Sequence, residues 1–380
     1  MRRPHRLLPI AILTALAWTA GPASTRAEYL VTNLVSDIAG LAATTDLNLK
    51  NPWGVSYNPG GGPFWVSDQA TNKSTLYTGT GSIVPLVVSI PTTGDGPQGP
   101  TGQVWNGNAA DFHLANGNAA KFLFANLNGQ ISGWNGGSTA QVVASGAGAV
   151  YTGLAIAQVG GDNVIYAADA AGKKIDVYDS NFKMNPFAST GFQDARLTGA
   201  GFSVYNVQTL GGQVYVTYGN QSNGANAATN GGAVAVYDLV GHLLRDFSNG
   251  PGGPLEDPWG LTVAPSSFGR FGGDLLVGNN ENGQINAFDP ITGAFLGNVT
   301  TITGTDPSST NNGLWGLTFG NNGNGGRSDT LYAFAGINNE KDGLVAAISS
   351  VPEPGSALLV AVGGAVAIAF GRGRRSPKRG

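Results

Sequence analysis

Four oxygen-bearing side chains, Asp68, Asn126, Asp169 and Asn280, have the type and position to do chemistry. Each closely follows a short apolar run, for example Phe64-Trp65-Val66 before Asp68 and Val164-Ile165-Tyr166-Ala167-Ala168 before Asp169. Hard oxygen donors of this kind suit Ca²⁺. The chain has no cysteine, so no thiolate competes for a metal. Asp and Asn after a strand also cap their own turns, and that reading stands beside the metal one. A shared cation would need all four oxygens within about 2.3–2.6 Å of one point. Residues at strand ends reach a common centre only with help from Asn51 and Asn312, so the expectation is weak Ca²⁺ binding at most and no robust catalysis.

Other catalytic templates find little support. His113 and His242 are far apart and each lies in a turn-like context. There is neither a Gly-x-Ser-x-Gly elbow nor a phosphate loop. Glu340 and Asp342 are a carboxylate pair of the kind that serves acid–base work on a sugar, whereas Glu256-Asp257 precedes Pro258-Trp259-Gly260 and reads as a turn. Trp53, Trp259 and Trp315 stand at strand starts and read as core or ring-lining residues. Trp105 and Trp134 are freer to stack on a sugar, with core packing as the competing role. The Asn/Gly tracts 219–232 and 320–326 read as flexible loops.

The elements that must position these residues come from a repeat. An apolar-rich phrase recurs as Pro52-Trp53-Gly54-Val55, Pro100-Thr101-Gly102-Gln103, Tyr151-Thr152-Gly153-Leu154, Val204-Tyr205-Asn206-Val207, Pro258-Trp259-Gly260-Leu261 and Leu314-Trp315-Gly316-Leu317. The third residues are spaced by 48, 51, 53, 54 and 56, which suits one four-stranded blade per repeat. A second and a third β-branched or aromatic run follow each phrase after turn residues, the strand signature. The fold class is therefore all-β, a six-bladed β-propeller over residues 28–350. Outer strands are legible after five repeats: Pro85–Val88, Ala140–Val143, Asn185–Phe187, Leu243–Phe247 and Ala294–Val299. The sixth repeat lacks one, and an orphan run, Tyr29–Val35, stands at the start. One spare strand and one vacant slot match, so the N-terminal strand is expected to close the ring.

The two ends read as addresses. Residues 1–27 have a basic start, an apolar run and a small-x-small site, predicting a signal peptide cleaved after Ala27. At the other end come a Val351–Ser356 motif, an apolar run 357–370 and a basic tail 371–380. The run is short for a full span, and the basic tail suits retention on the cytoplasmic side. Between Glu28 and Ser350 lie 11 Lys and Arg against 22 Asp and Glu, a net −11. Such an acidic body repels nucleic acid and tolerates cations and neutral glycans.

The order Pro352-Glu353-Pro354, apolar run, then Arg374-Arg375 resembles the PEP-CTERM sorting signal. That resemblance implies an exosortase-type membrane protease as partner, transient membrane anchoring, and delivery to a cell surface or an exopolysaccharide or biofilm matrix. The repeat itself resembles the NHL and gluconolactonase-like six-bladed propellers. The pairing of Asn51–Gly54 with Ala335–Leu344 resembles, more narrowly, one PEP-CTERM family. Gluconolactonase-like enzymes hold one cation over the axis with a carboxylate, an Asn and an Asp. Two functions therefore remain open: a non-enzymatic surface propeller that binds a glycan or surface protein, or a metal-dependent hydrolase of the lactonase type.

Overall fold

The computed structural model describes residues 28–93, 98–184, 191–220, 231–249, 253–309 and 312–351. The chain opens with β1 (Tyr29–Ser36) and a two-residue β2 (Thr44–Thr45). Blade 1 follows as β3 (Pro52–Ser56), β4 (Phe64–Asp68), β5 (Lys73–Tyr77) and β6 (Ile83–Ser89). Blade 2 is β7 (Gln103–Trp105), β8 (Phe122–Ala125), β9 (Gln130–Trp134) and β10 (Gln141–Ser145). Blade 3 shows β11 (Tyr151–Val159), β12 (Asp162–Asp169) and β13 (Lys174–Tyr178). Its expected outer strand, Asn185–Phe187, lies outside the described residues. A short α1 (Ala195–Gly199) leads into blade 4, which is β14 (Ser203–Leu210), β15 (Gln213–Gly219), β16 (Gly232–Tyr237) and β17 (Leu243–Asn249). Blade 5 is β18 (Pro258–Val263), β19 (Leu275–Asn279), β20 (Gln284–Phe288) and β21 (Phe295–Thr301). Blade 6 is β22 (Leu314–Phe319), β23 (Thr330–Ala335), a short α2 (Ile337–Glu340) and β24 (Leu344–Ser350), completed by β1.

Second strands such as β4 and β23 are buried along their whole length, because both faces of each blade press on a neighbour. They accordingly read as unbroken apolar runs rather than alternations. Outer strands such as β10 remain largely exposed or half-exposed.

The recurring glycine has a packing reason. A Cβ on Gly54 would stand 2.3 Å from Thr101 O in the next blade, on Gly102 2.1 Å from Leu154 N, on Gly260 2.3 Å from Trp315 O, and on Gly316 2.7 Å from Trp53 O. Inner strands approach so closely around the axis that no side chain fits between them. Blade 4 carries Asn206 at this position, and its Nδ2 donates to Trp259 O at 2.8 Å, reaching across to the next inner strand.

Ring closure joins blade 6 to blade 1 at three levels. In the sheet, β1 pairs antiparallel with β24 from Tyr29↔Ser350 to Ser36↔Leu344. On the face where inner strands begin (the upper face), Asn51 accepts from Trp315 Nε1 at 2.9 Å and donates to Glu340 Oε2 at 3.3 Å. The two sequence phrases Asn51–Gly54 and Ala335–Leu344 thus meet at the seam. Lys50 ion-pairs with Asp37 and with Asp342, and Asp37 Oδ1 accepts from Gly343 N at 2.7 Å. On the lower face the tract 320–326 proves to be a docked loop rather than a flexible one. Asn321 Nδ2 donates to Gly62 O at 2.8 Å, and Asn324 N to Gly61 O at 3.0 Å. Glycines on both sides allow this backbone-to-backbone approach, with Gly323 against Gly61 and Gly326 against Gly79.

Candidate binding channel

The six inner strands surround an axial cavity of about 280 Å³. Its wall takes residues from every blade: Ser56 and Tyr57 from blade 1, Gln103 and Trp105 from blade 2, Ile156 from blade 3, Thr209 from blade 4, Leu261 from blade 5 and Thr318 from blade 6. Trp259 lies at its upper end, and the turn residue Pro59 at its lower. Among the described residues, no charged side chain lines it.

Above Trp259 the axis is filled. Trp53, Trp259, Trp315 and Tyr205 form one buried cluster. Trp53 stacks on Trp315 with centroids 3.6 Å apart and planes 18° off parallel, while Trp259 and Tyr205 meet Trp315 edge-on at 5.8 and 5.7 Å. Two indoles are pinned by hydrogen bonds, Trp315 Nε1 to Asn51 Oδ1 and Trp259 Nε1 to Thr152 O at 3.0 Å. Each of these aromatics starts an inner strand, so four blades deliver one ring each to the axis, as expected for the three tryptophans. This plug closes the channel toward the upper face.

Three polar atoms of wall residues are buried behind the channel surface and have no hydrogen-bond partner: Ser56 Oγ, Gln103 Oε1 and Thr209 Oγ1. Gln103 is held rigidly, since its Nε2 donates to both Gly54 O at 2.9 Å and Trp65 O at 2.7 Å. Sequence reading passed over it, although a signal existed. The residue after the repeated third position is Val55, Leu154, Val207, Leu261 or Leu317 in the other five repeats, and only blade 2 puts an amide there. Of the two tryptophans singled out for sugar stacking, Trp105 stands half-buried in the channel wall. Trp134 packs on Trp65 at 4.6 Å and donates to Gly137 O, so it serves the core between blades 1 and 2.

The four candidate cation ligands lie on blades 1, 2, 3 and 5, each engaged with its own surroundings. Asp68 Oδ2 accepts from Thr75 Oγ1 at 2.8 Å, and Asn126 Nδ2 donates to Ser132 Oγ at 3.2 Å. Asp169 Oδ1 accepts from Val150 N and Gly172 N at 3.1 and 3.0 Å, while Asn280 Oδ1 accepts from Tyr205 Oη at 3.4 Å. Among the described residues, no three His, Cys, Asp or Glu side chains stand together as a metal-holding group. His242 Nδ1 faces Asp238 Oδ2 at 2.7 Å on the exposed rim. Pro352, Glu353, Pro354, Arg374, Arg375 and Ala27 lie outside the described residues.

Asp68 is fully buried and its Oδ1 has no partner, so burial pushes its carboxyl well above its ordinary 3.8. A carboxyl whose pKa rises on folding is equally protonated in both states at low pH. As pH climbs past the unfolded value the folded chain alone keeps the proton, and stability falls. Asp68→Asn is therefore expected to gain about 1–2 kcal/mol at pH 7 and nothing at pH 3. Urea unfolding at the two pH values checks this, and a loss at pH 7 would contradict it. Blades 2 and 5 already carry Asn126 and Asn279 at the matching second-strand end.

The upper face also gathers carboxylates around the plug. Burial, reinforced by Glu281 and Glu256, pushes Asp257 up to about 6, against the lowering effect of its bond from Asn220 N. Burial raises the Tyr205 hydroxyl well above 10.0, with Glu340, Asp257 and Glu281 adding to it.

A closed six-bladed ring around an axial cavity defines the class: a six-bladed β-propeller. No family model matches the chain. It is 30% identical over 301 residues to the uncharacterized protein L690 of Acanthamoeba polyphaga mimivirus, covering 75% of this chain and 77% of that protein, and it belongs to the same family. The uncharacterized protein R648 of the same virus is 29% identical, over 73% of this chain and 70% of its own length. Among solved structures, an auxiliary nutrient binding protein from Bacteroides ovatus superposes with a TM-score of 0.51 at 14% identity, over 86% of this chain and 78% of that one. A gluconolactonase from Xanthomonas campestris is a looser likeness, with a TM-score of 0.42 at 14% identity over 66% and 86% of the two chains. These likenesses concern the fold.

Proposed function

We propose that the protein is an exported β-propeller held at a cell surface or in an extracellular, exopolysaccharide-rich matrix, where it binds a ligand or partner rather than turning over a substrate. The observation that carries this reading is where the propeller ends. Val351 N donates to Glu28 O at 2.8 Å, so the residue after the expected signal cleavage and the residue before Pro352-Glu353-Pro354 are neighbours. The antiparallel order of blade 6 puts both at the lower end of β24, on the face toward which the channel opens. A leader and a tail that depart from one corner can be cut or held without disturbing a blade. In this reading an exosortase-type membrane protease takes the Pro-Glu-Pro motif, and Arg374 and Arg375 hold the tail on the cytoplasmic side until it is cut.

Intact-mass analysis and fractionation of the exported protein test the proposal. The expected product begins at Glu28, lacks Arg374 and Arg375, and is recovered from the surface or matrix. Extracellular protein that retains both arginines would overturn the processing. Hydrolysis of a lactone panel that depends sharply on Ca²⁺, and is lost in Asp68→Ala or Asp169→Ala, would replace the binding role with the hydrolase.

A further inference from the structure

We propose that the lower rim of blades 4 and 5 docks on a bilayer of zwitterionic lipid, with the upper face turned outward, for as long as the tail holds the protein at a membrane. This rests on the reading of the protein as membrane-held before its tail is cut, and names the surface that meets the membrane. Third strands pass to outer strands through turns on the lower face, and the residue three places beyond the third strand stands exposed in each turn. Blades 1, 2 and 3 put Thr80, Gly137 and Asn181 there, whereas blades 4 and 5 put Val240 and Ile291. Ile291 is 78% exposed, more than any other large apolar side chain among the described residues. Both apices are held in place by their own turns. Asp289 Oδ1 accepts from Ile291 N and Thr292 N at 2.8 Å, and Asp238 Oδ1 accepts from Val240 N and His242 N at 3.0 and 2.9 Å. Leu243 and Leu244 at the start of β17, and Phe295 and Leu296 at the start of β21, extend the exposed apolar surface from each apex. The two hairpins adjoin, since Arg245 Nε donates to Pro290 O at 3.1 Å and Gly293 lies against Phe247.

This strip leads to the point where the tail departs. Gly297 of β21 packs on Phe271, beside Arg270, and Arg270 faces Glu28 across 3.6 Å. Gly269 lies against Ser350, one residue before Val351. From Val351 to Ala357 the chain reaches at most about 20 Å, so a bilayer that takes the apolar run 357–370 lies opposite this rim. The charges select the kind of bilayer. Arg245, Arg270 and His242 stand beside Asp238, Asp274, Asp289 and Glu28, which leaves no positive excess to attract anionic lipid. Binding then comes from apolar side chains at the headgroup boundary. A tether too short for a full span gains from such a second contact, because the tether keeps the rim at high local concentration. Two projecting apices suit insertion into a yielding surface better than close packing on a second rigid propeller.

The chain has no cysteine, so single sites can be labelled cleanly. The full chain carrying Ile291→Cys or Val240→Cys, with Asn181→Cys on blade 3 and Leu47→Cys on the upper face as controls, is labelled with an environment-sensitive fluorophore. Each is incorporated into phosphatidylcholine vesicles with and without spin-labelled lipid. The expected result is emission at least about twofold brighter at 291 and 240, quenched by the spin-labelled lipid, and unchanged at 181 and 47. Adding Leu244→Asp and Phe295→Asp should return the Ile291→Cys signal to its lipid-free level without lowering the melting temperature, because both side chains are exposed. Equal signals at all four sites would overturn the inference. So would brightening without lipid: growth with protein concentration would assign the rim to a second copy, and loss on deleting 352–380 would assign it to the tail itself. A version with a histidine tag after Ser356, held by nickel-chelating lipid, supplies the tether independently of the tail. Quenching at 291 and 240 in that version alone would fail the membrane-held reading and keep the docking surface. A vesicle-bound full chain with neither site quenched would fail the docking surface alone.

Discussion

Deleting residues 28–36 is expected to abolish cooperative folding, whereas deleting 352–380 leaves the melting temperature of the propeller unchanged. The first segment contains β1, which supplies the outer strand of blade 6 through its ladder to β24. It buries Tyr29, Leu34 and Val35, a loss of roughly 5–9 kcal/mol at about 1.5–3 kcal/mol per apolar side chain. That rivals the whole stability of a typical domain, about 5–15 kcal/mol. Specific bonds go with it: Tyr29 Oη to Phe268 O at 3.0 Å ties β1 to blade 5, and Ser36 Oγ to Gly343 O at 2.7 Å ties it to the turn before β24. The deletion would also expose β24 as a sheet edge, an invitation to aggregate. Circular dichroism melts and light scattering of the two truncations decide the matter. Equal stability of the two would show that the ring closes without its first strand.

Trp315→Ala is expected to cost about 3–5 kcal/mol, the range for removing a large buried aromatic. Trp315 is 1% exposed and touches each of the other three rings of the plug. Its loss would leave a cavity at the axis and strip Asn51 Oδ1 of its indole donor. Asn51 sits at φ 46°, a left-handed conformation costly for most side chains, and its amide bonds hold it there. The damage should therefore reach the seam between blades 1 and 6 as well as the axis. Trp315→Phe should recover part of the loss by filling volume without the N–H. Chemical denaturation of the three proteins measures this, and a cost below about 1 kcal/mol for Trp315→Ala would mean that the plug contributes little.

The fold was legible because a propeller writes its period into the chain. Six phrases recur at near-constant spacing, four of them supplying an aromatic ring to the axis and five a glycine to the tight inner-strand contact. The closing strand was legible by counting, since a strand lacking a blade and a blade lacking a strand leave one solution. Strand-end Asp and Asn were visible too, but not what their side chains meet. Asp68, Asn126 and Asp169 turn out to bond within their own blades or to the turn leading into them, a choice set by backbone geometry a few ångströms away. The tract 320–326 carried the composition of a free loop, yet matching glycines at 61 and 79, distant in sequence, make it a docking surface. The channel wall depended most on tertiary structure. It is assembled from single residues on six inner strands, so no local pattern announces it. Gln103 alone left a trace, as an amide in a column of Val and Leu. The chain by itself determined which residues form each blade. Only closure of the ring decided which of them face the axis, because that depends on how close neighbouring inner strands come.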